Sequence, residues 1–272
     1  MLKTRLVSAA IMVPLVVAGV LYLPTAAVAL TLALVMSIGL WEWGAMIPLG
    51  SMAARIAYPA GVAALMALAW IAPLERVLVP LLLLAVIWWL TALYWLVRPG
   101  FGVQLTPAVR VLKGGAGVLV MLPCWASFVT LHAREDHGPL ITLALLVMVW
   151  LADSGAYFAG RRWGRTRLAP VISPGKTWEG VLGGIVASAI AVLLAGYWYS
   201  RSLEWTLTLV PVALLAVMFS IVGDLLESLM KRQAGIKDSG SIIPGHGGVL
   251  DRIDSLTAAA PMFLAGMLWF RL

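Results

Sequence analysis

Long apolar stretches, separated by short polar or turn-rich breaks, dominate the chain. A helix that crosses a membrane needs about 20 predominantly apolar residues. Nine stretches approach or reach that length, roughly 6–23, 25–46, 56–73, 77–97, 112–131, 139–160, 178–199, 205–229 and 250–270. Pro24, Pro48, Pro73 and Pro99 fall near the proposed ends, where proline is tolerated. The second and third stretches can also be divided differently, which would leave eight helices. The pattern predicts an all-α, polytopic integral membrane protein, with about nine transmembrane helices forming one integral domain over 1–272. Within it, 1–135 reads mainly as scaffold, and 139–272 carries the polar chemistry.

Composition agrees with the pattern. Of 272 residues, 62% are hydrophobic and 11% charged, against about 25% charged in an ordinary soluble domain. Near the N-terminus, Lys3 and Arg5, an apolar run and Ala27-Val28-Ala29 resemble a cleavable signal peptide. The run to Leu23 is long for that purpose and a second apolar stretch follows at once, so a retained first helix is the better reading. The net charge of +7 does not point to nucleic acid, because the charges sit in short loops between apolar stretches. Anionic lipid and phosphate-bearing substrates fit that placement. Only Arg76, Arg134, Arg201 and Arg271 of the 19 Lys and Arg residues fall in alternate loops on one side. The positive-inside rule therefore places the N-terminus in the cytoplasm and the C-terminus outside, in a bacterial-type cytoplasmic (inner) membrane. Cys124, the one cysteine, lies in an apolar run and reads as packing.

The first half offers little chemistry. Glu42, between Trp41 and Trp43, reads as part of an interfacial belt. His132 and His137 flank Arg134-Glu135-Asp136 in what reads as a solvated outer turn, and no Cys/His metal spacing occurs.

The second half is different, and one stretch from Asp224 to Ser255 stands out as polar within apolar surroundings. Ionisable groups at the edge of a membrane core are costly and mark function by default. Asp224, Ser228 and Lys231 are spaced i, i+4, i+7 and share a helix face, with Glu227 beside it. Asp251, Asp254 and Ser255 repeat a helical spacing at the start of the last apolar stretch. Between them, Gly245-His246-Gly247-Gly248 has little bulk, and its backbone N–H groups could face an anion. Carboxylates in that arrangement suit hard cations such as Mg2+, and the neighbouring lysines and arginines suit phosphates. Upstream, Asp153 lies inside the sixth apolar stretch, where an acid needs a partner. A basic loop from Arg161 to Lys176 then leads into Ser173-Pro174-Gly175-Lys176-Thr177-Trp178-Glu179-Gly180. Gly175-Lys176-Thr177 looks like the end of a phosphate-binding loop, but that motif needs glycine where Pro170 stands. Plain topological anchoring explains any single loop arginine equally well. Gly180, Gly184 and Ser188 make a small-residue row that lets helices approach closely, within the chain or across a homodimer.

Taken together, these residues resemble a known signature. Ser228, Lys231-Arg232, Lys237-Asp238 and Pro244-Gly-His246-Gly247-Gly248-Val-Leu-Asp251-Arg252-Ile-Asp254 are similar to the motif of the phosphatidate cytidylyltransferases, also called CDP-diacylglycerol synthases. So are Asp153-Ser-Gly-Ala-Tyr157, Gly160-Arg161, Ser173-Pro174 and Lys176-Thr177-Trp178-Glu179-Gly180. The family commonly has a second lysine where this chain has Gly175, and the first half matches only in being hydrophobic. The resemblance implies that CTP and phosphatidate give CDP-diacylglycerol and pyrophosphate with Mg2+, or with Mn2+ in its place, and with room for a second cation. It implies metal binding by Asp224, Asp251 and Asp254, with Ser228 completing a shell or bonding a carboxylate. Lys231, Arg232 and Lys237 would bind phosphates, and Gly245, Gly247 and Gly248 would admit the triphosphate, with His246 as a donor or a structural bond. Arg161 and Lys176 would meet the phosphatidate headgroup, and Asp238, Arg252, Asp153, Tyr157, Ser173, Thr177 and Glu179 would line the substrate site. The nucleophile is an anionic phosphate oxygen, so no protein nucleophile is required, and none is evident. Two rivals remain from sequence: a CTP-dependent lipid kinase, which would release CDP, and a secondary transporter. A transporter site would lie nearer the midplane in two repeated halves, and no repeat is visible.

Overall fold

A computed structural model describes residues 2–243, 245 and 247–272; Pro244 and His246 lie outside the described residues. Among the described residues, nine helices follow one another: α1 (Leu2–Tyr22), α2 (Thr25–Met46), α3 (Met52–Ile71), α4 (Leu74–Val97), α5 (Pro107–His132), α6 (Gly138–Trp163), α7 (Trp178–Ser200), α8 (Leu203–Gln233) and α9 (Leu250–Phe270). Eight of them are long and apolar enough to cross a membrane, and α1 adds a shorter apolar stretch, Ala10–Tyr22. The protein is an all-α polytopic membrane protein, as the apolar pattern predicts.

The helices begin where local chemistry tells them to. Thr106 accepts from the Val109 N–H, Thr177 from Gly180 and Ser202 from Trp205, each satisfying a donor that the first helical turn leaves free. Pro24 and Pro73 stand as N-caps. Six further prolines, including Pro123, Pro211 and Pro261, lie inside helices. Membrane helices tolerate them because neighbouring groups take up the freed backbone positions.

Helix α5 is the axis of the bundle: Val120 to Val129 is almost wholly buried, against α2, α4, α6 and α9. Helices α6 and α7 pack with almost no side chains between them. A Cβ at Gly184 would lie 2.8 Å from the Ala152 carbonyl oxygen, and one at Gly180 would lie 2.9 Å from that of Ala156. Ser188 reaches across toward Met148. The Gly180-Gly184-Ser188 row is thus consumed by packing inside the chain. On the opposite face of α7, Leu182, Val186 and Ile190 are exposed, as a lipid-facing surface should be.

Three local expectations are corrected. The basic loop contains an antiparallel hairpin, β1 (Arg167–Ala169) and β2 (Ser173–Thr177). Helical periodicity cannot reveal two strands this short. His132 does not sit in a solvated turn. It is buried, with Nδ1 against the Thr25 hydroxyl at 3.0 Å and Nε2 against the Val20 carbonyl at 2.9 Å, which ties α1 and α2 to the end of α5. Lys113, one of the 15 cations that the charge count leaves for the cytoplasmic side, is not in a solvated loop but buried within α5. Arg134-Glu135-Asp136 and His137 do form a turn, and Cys124 is buried and free.

Candidate active site

The polar residues gather where α6, the hairpin, α8 and α9 meet. Asp224 is on α8, and its Oδ2 is 2.6 Å from the Lys176 ammonium on β2. The Ser228 hydroxyl, one turn on, donates to Asp224 Oδ1 across 3.4 Å. Asp254 on α9 accepts from the Ser255 N–H at 2.7 Å. Asp153 on α6 and Asp254 both lie within electrostatic reach of Asp224 and Lys176, and Arg252 lies near Asp153. Asp224 thus pairs with Lys176, and carboxylates from α6 and α9 lie near enough to act on both, with a second cation, Arg252, near Asp153.

Beside this cluster lies a second one. Lys231 pairs with Glu227 one turn back on α8, and with Asp251 Oδ1 at 2.5 Å on α9. Expected as a free phosphate ligand, Lys231 is instead flanked by two carboxylates in the α8–α9 interface. Asp251 is fully engaged. Its Oδ2 accepts from the Ser239 N–H at 3.0 Å, the Ser239 hydroxyl at 3.0 Å and the Gly248 N–H at 2.8 Å. A cation held by Asp251 would have to share Oδ1 with Lys231.

These bonds explain the glycines. Within the segment from 239 to 249 the Ile243 N–H donates to the Gly247 carbonyl at 2.9 Å. Gly247 has φ +83°, in the left-handed region that suits glycine, and a Cβ there would lie 2.7 Å from Asp251 Oδ2. Lys237, Asp238 and Gly245 are exposed on this loop. The Gly248 N–H, expected to face a triphosphate, is taken by Asp251. The expectation for His246 falls outside the described residues.

The remaining expected residues divide between the cluster and its supports. Arg232 donates to the Ile172 carbonyl at 3.4 Å and to that of Ile236 at 3.5 Å, fastening the hairpin turn to the end of α8. Glu179 accepts from the Arg165 N–H at 3.1 Å and the Thr166 N–H at 3.1 Å, closing the hairpin onto α7. Thr177 caps α7 and Ser173 opens β2. Tyr157 is exposed on α6, and its hydroxyl accepts from Arg161 at 3.0 Å. Arg252 is exposed on the first turn of α9. Sequence reasoning missed Glu42 as a member of this region. It is no interfacial residue: it is buried against Ser239 and the start of α9.

Fold and site define a polytopic membrane protein that gathers carboxylates and lysines where α6, the hairpin, α8 and α9 meet. The sequence model of the cytidylyltransferase family matches residues 3–270, and the chain belongs to that family. Among curated relatives, the phosphatidate cytidylyltransferase of Pseudomonas aeruginosa is 44% identical over 269 residues, covering 99% of this chain and 97% of that protein. The phosphatidate cytidylyltransferase of Haemophilus influenzae is 34% identical over 281 residues, covering 97% of each. That of Synechocystis sp. is 49% identical over 125 residues, 46% of this chain and 42% of that protein.

The geometry ranks three charged residues. Lys176→Ala should lower turnover about tenfold or more, because it strips Asp224 of its cation. Glu179→Ala should lower it less, by freeing the hairpin's Arg165 and Thr166 N–H groups. Arg134→Ala, which only loses a bond to the Leu272 carbonyl, should leave the rate unchanged. Initial rates per folded protein check the order, and equal rates in all three would remove the hairpin from the site.

Proposed function

We propose that the protein transfers the cytidylyl group of CTP to phosphatidate, giving CDP-diacylglycerol and pyrophosphate. A phosphate oxygen of phosphatidate attacks the α-phosphorus of CTP. A new P–O–P linkage forms, the bond from the α-phosphorus to the α–β bridging oxygen breaks, and pyrophosphate leaves with the electron pair. Both substrates are anionic, so the protein's part is neutralisation and in-line placement.

The observation that carries this reading is the cluster of Asp153, Asp224 and Asp254 around Lys176. A triphosphate and a lipid phosphate cannot approach three carboxylates without added positive charge. The donor set is oxygen only, which suits Mg2+, with Mn2+ as an alternative. Among the described residues, no group of three or more His, Cys, Asp and Glu residues makes a ready metal cage. Mg2+ is commonly held by one or two carboxylates together with substrate phosphates, so the residues fit. Asp224, with either Asp254 or the Oδ1 side of Asp251, would hold it together with the substrate phosphates. When bound, the metal supplies charge stabilisation to the triphosphate and the leaving pyrophosphate. Lys176 and the exposed Arg161 face the phosphatidate headgroup, and Lys237 and Arg252 the nucleotide phosphates. The decisive assay incubates purified protein with labelled CTP, phosphatidate and Mg2+ and scores the label in the lipid phase. Release of CDP in place of pyrophosphate would make it a lipid kinase.

The proposed setting is the bacterial cytoplasmic membrane, with the N-terminus, hairpin and 234–249 loop inside. Ser241 is exposed and makes a better reporter than Gly240, where a Cβ would fall on Glu42. In a variant with Cys124 replaced, Ser241→Cys should resist impermeant thiol reagents applied to intact cells and react after permeabilisation. Strong labelling of intact cells would reverse the orientation.

A further inference from the structure

The second helix carries an acid whose hydrogen bonds run to the other end of the chain. Glu42 lies in α2 and is 3% exposed. Its Oε1 accepts from the Val249 N–H at 3.0 Å. Its Oε2 accepts from the Leu250 N–H at 2.8 Å and from the Ser239 hydroxyl at 3.0 Å. These partners lie about 200 positions away, at the two ends of the Gly-rich segment. Val249 caps α9 and Leu250 opens it, so Glu42 does what a capping side chain does, but from another helix. Ser239 has one hydroxyl hydrogen within reach of both Glu42 Oε2 and Asp251 Oδ2. The two carboxylates are thereby linked through one side chain. A Cβ on Gly248 would fall on the Glu42 carboxylate at 2.5 Å, and one on Gly240 would also meet it. The glycines at 240 and 248 make room for this buried acid.

We propose that Glu42 is a positioning residue for the nucleotide side of the active site: its carboxylate fixes both ends of the 239–250 loop and thereby sets where that loop and Asp251 meet CTP. This rests on the cytidylyl-transfer reading above for the ligand, but not for the loop. An ion pair does not explain Glu42, because no lysine or arginine is paired with it among the described residues. A buried carboxylate without a cation needs its donors, and the loop supplies three.

The test uses the full chain in detergent, with Glu42→Gln and Glu42→Asp. Gln keeps the shape but turns a donor toward the Val249 or Leu250 N–H. Asp keeps the charge but is one methylene short, and should fall between Gln and the unaltered protein. In Glu42→Gln, amide hydrogen exchange at 249–250 should accelerate about tenfold or more, the scale of losing a charged hydrogen-bond partner. The KM for CTP should rise by about the same factor, while the KM for phosphatidate moves little. A lower thermal midpoint with unchanged CTP KM in the folded fraction would overturn the proposal, and so would unchanged exchange at 249–250. If the unaltered protein transfers no cytidylyl group, the functional reading fails, and the exchange measurement still decides whether Glu42 holds the loop.

Discussion

Asp224→Asn should cut turnover by about a hundredfold or more and leave the protein folded in detergent. Asparagine keeps the size and one acceptor oxygen but removes a full negative charge. Asp224 is the best placed of the carboxylates to meet a cation. Its side chain is 30% exposed, and its bond from Ser228 is long at 3.4 Å, so ordering it costs the protein little else. Lys176 would keep its approach to the substrate phosphates, so binding should suffer less than rate. The Mg2+ concentration for half-maximal activity should rise, because a neutral amide oxygen is a poorer ligand for a hard dication. A different role forecasts a different result. If Asp224 serves only to pair with Lys176, the substitution lowers the thermal midpoint, and activity follows the surviving folded fraction. The measurement is initial rate per folded protein across a Mg2+ titration, with Glu135→Gln at the opposite end of the bundle as control. Near-normal rates at ordinary Mg2+ would sink the metal assignment.

Much of this architecture is legible in the chain because a membrane imposes one strong rule: about 20 apolar residues for each crossing. The stretches 25–46 and 250–270 coincide with α2 and α9. The end of α8 runs to Gln233, beyond the expected 229, because its polar last turn is tied down by Arg232 to the Ile172 carbonyl and by Gln233 to the Pro99 carbonyl. That Asp153 and the acids of the 224–255 stretch need partners was also readable, from the rule that ionisable groups at a membrane edge are costly. Which acid meets which base was not. Lys231 and Asp224 share a helix face in sequence, yet Lys231 turns to Glu227 and Asp251, and Asp224 takes a lysine from the hairpin. Spacing along one helix cannot report what a second element brings. Glu42 is the clearest case. The rule that singled out Asp224 applies to it equally, but the flanking tryptophans made a belt reading sufficient. Nothing local in Trp41-Glu42-Trp43 reveals that its partners are Ser239, Val249 and Leu250.

Asp251→Asn should be the more damaging of the two aspartate changes, because Asp251 works at two levels. Its Oδ2 holds Ser239 and Gly248, and its Oδ1 pairs with Lys231. An asparagine can satisfy one side only. If its oxygen faces Ser239 and Gly248, its NH2 group points at the Lys231 ammonium. If it turns over, two backbone N–H groups lose their acceptor. The Lys231–Asp251 pair is largely buried, at 11% and 7% side-chain exposure. Breaking a buried pair typically costs about 3–5 kcal/mol, and the lower end applies here because Glu227 still partners Lys231. The thermal midpoint should therefore fall, amide exchange across 239–250 should accelerate, and turnover of the folded fraction should drop by at least as much as in Asp224→Asn. Raised Mg2+ should not restore it, since the loop itself has moved. Lys231→Met in the same background gives a direct check. The two changes should be non-additive in stability by about 0.5–3 kcal/mol, as for residues in contact, because each removes the same pair. Full recovery of Asp251→Asn at high Mg2+, with an unchanged midpoint, would make Asp251 a metal ligand alone and remove its part in holding the loop.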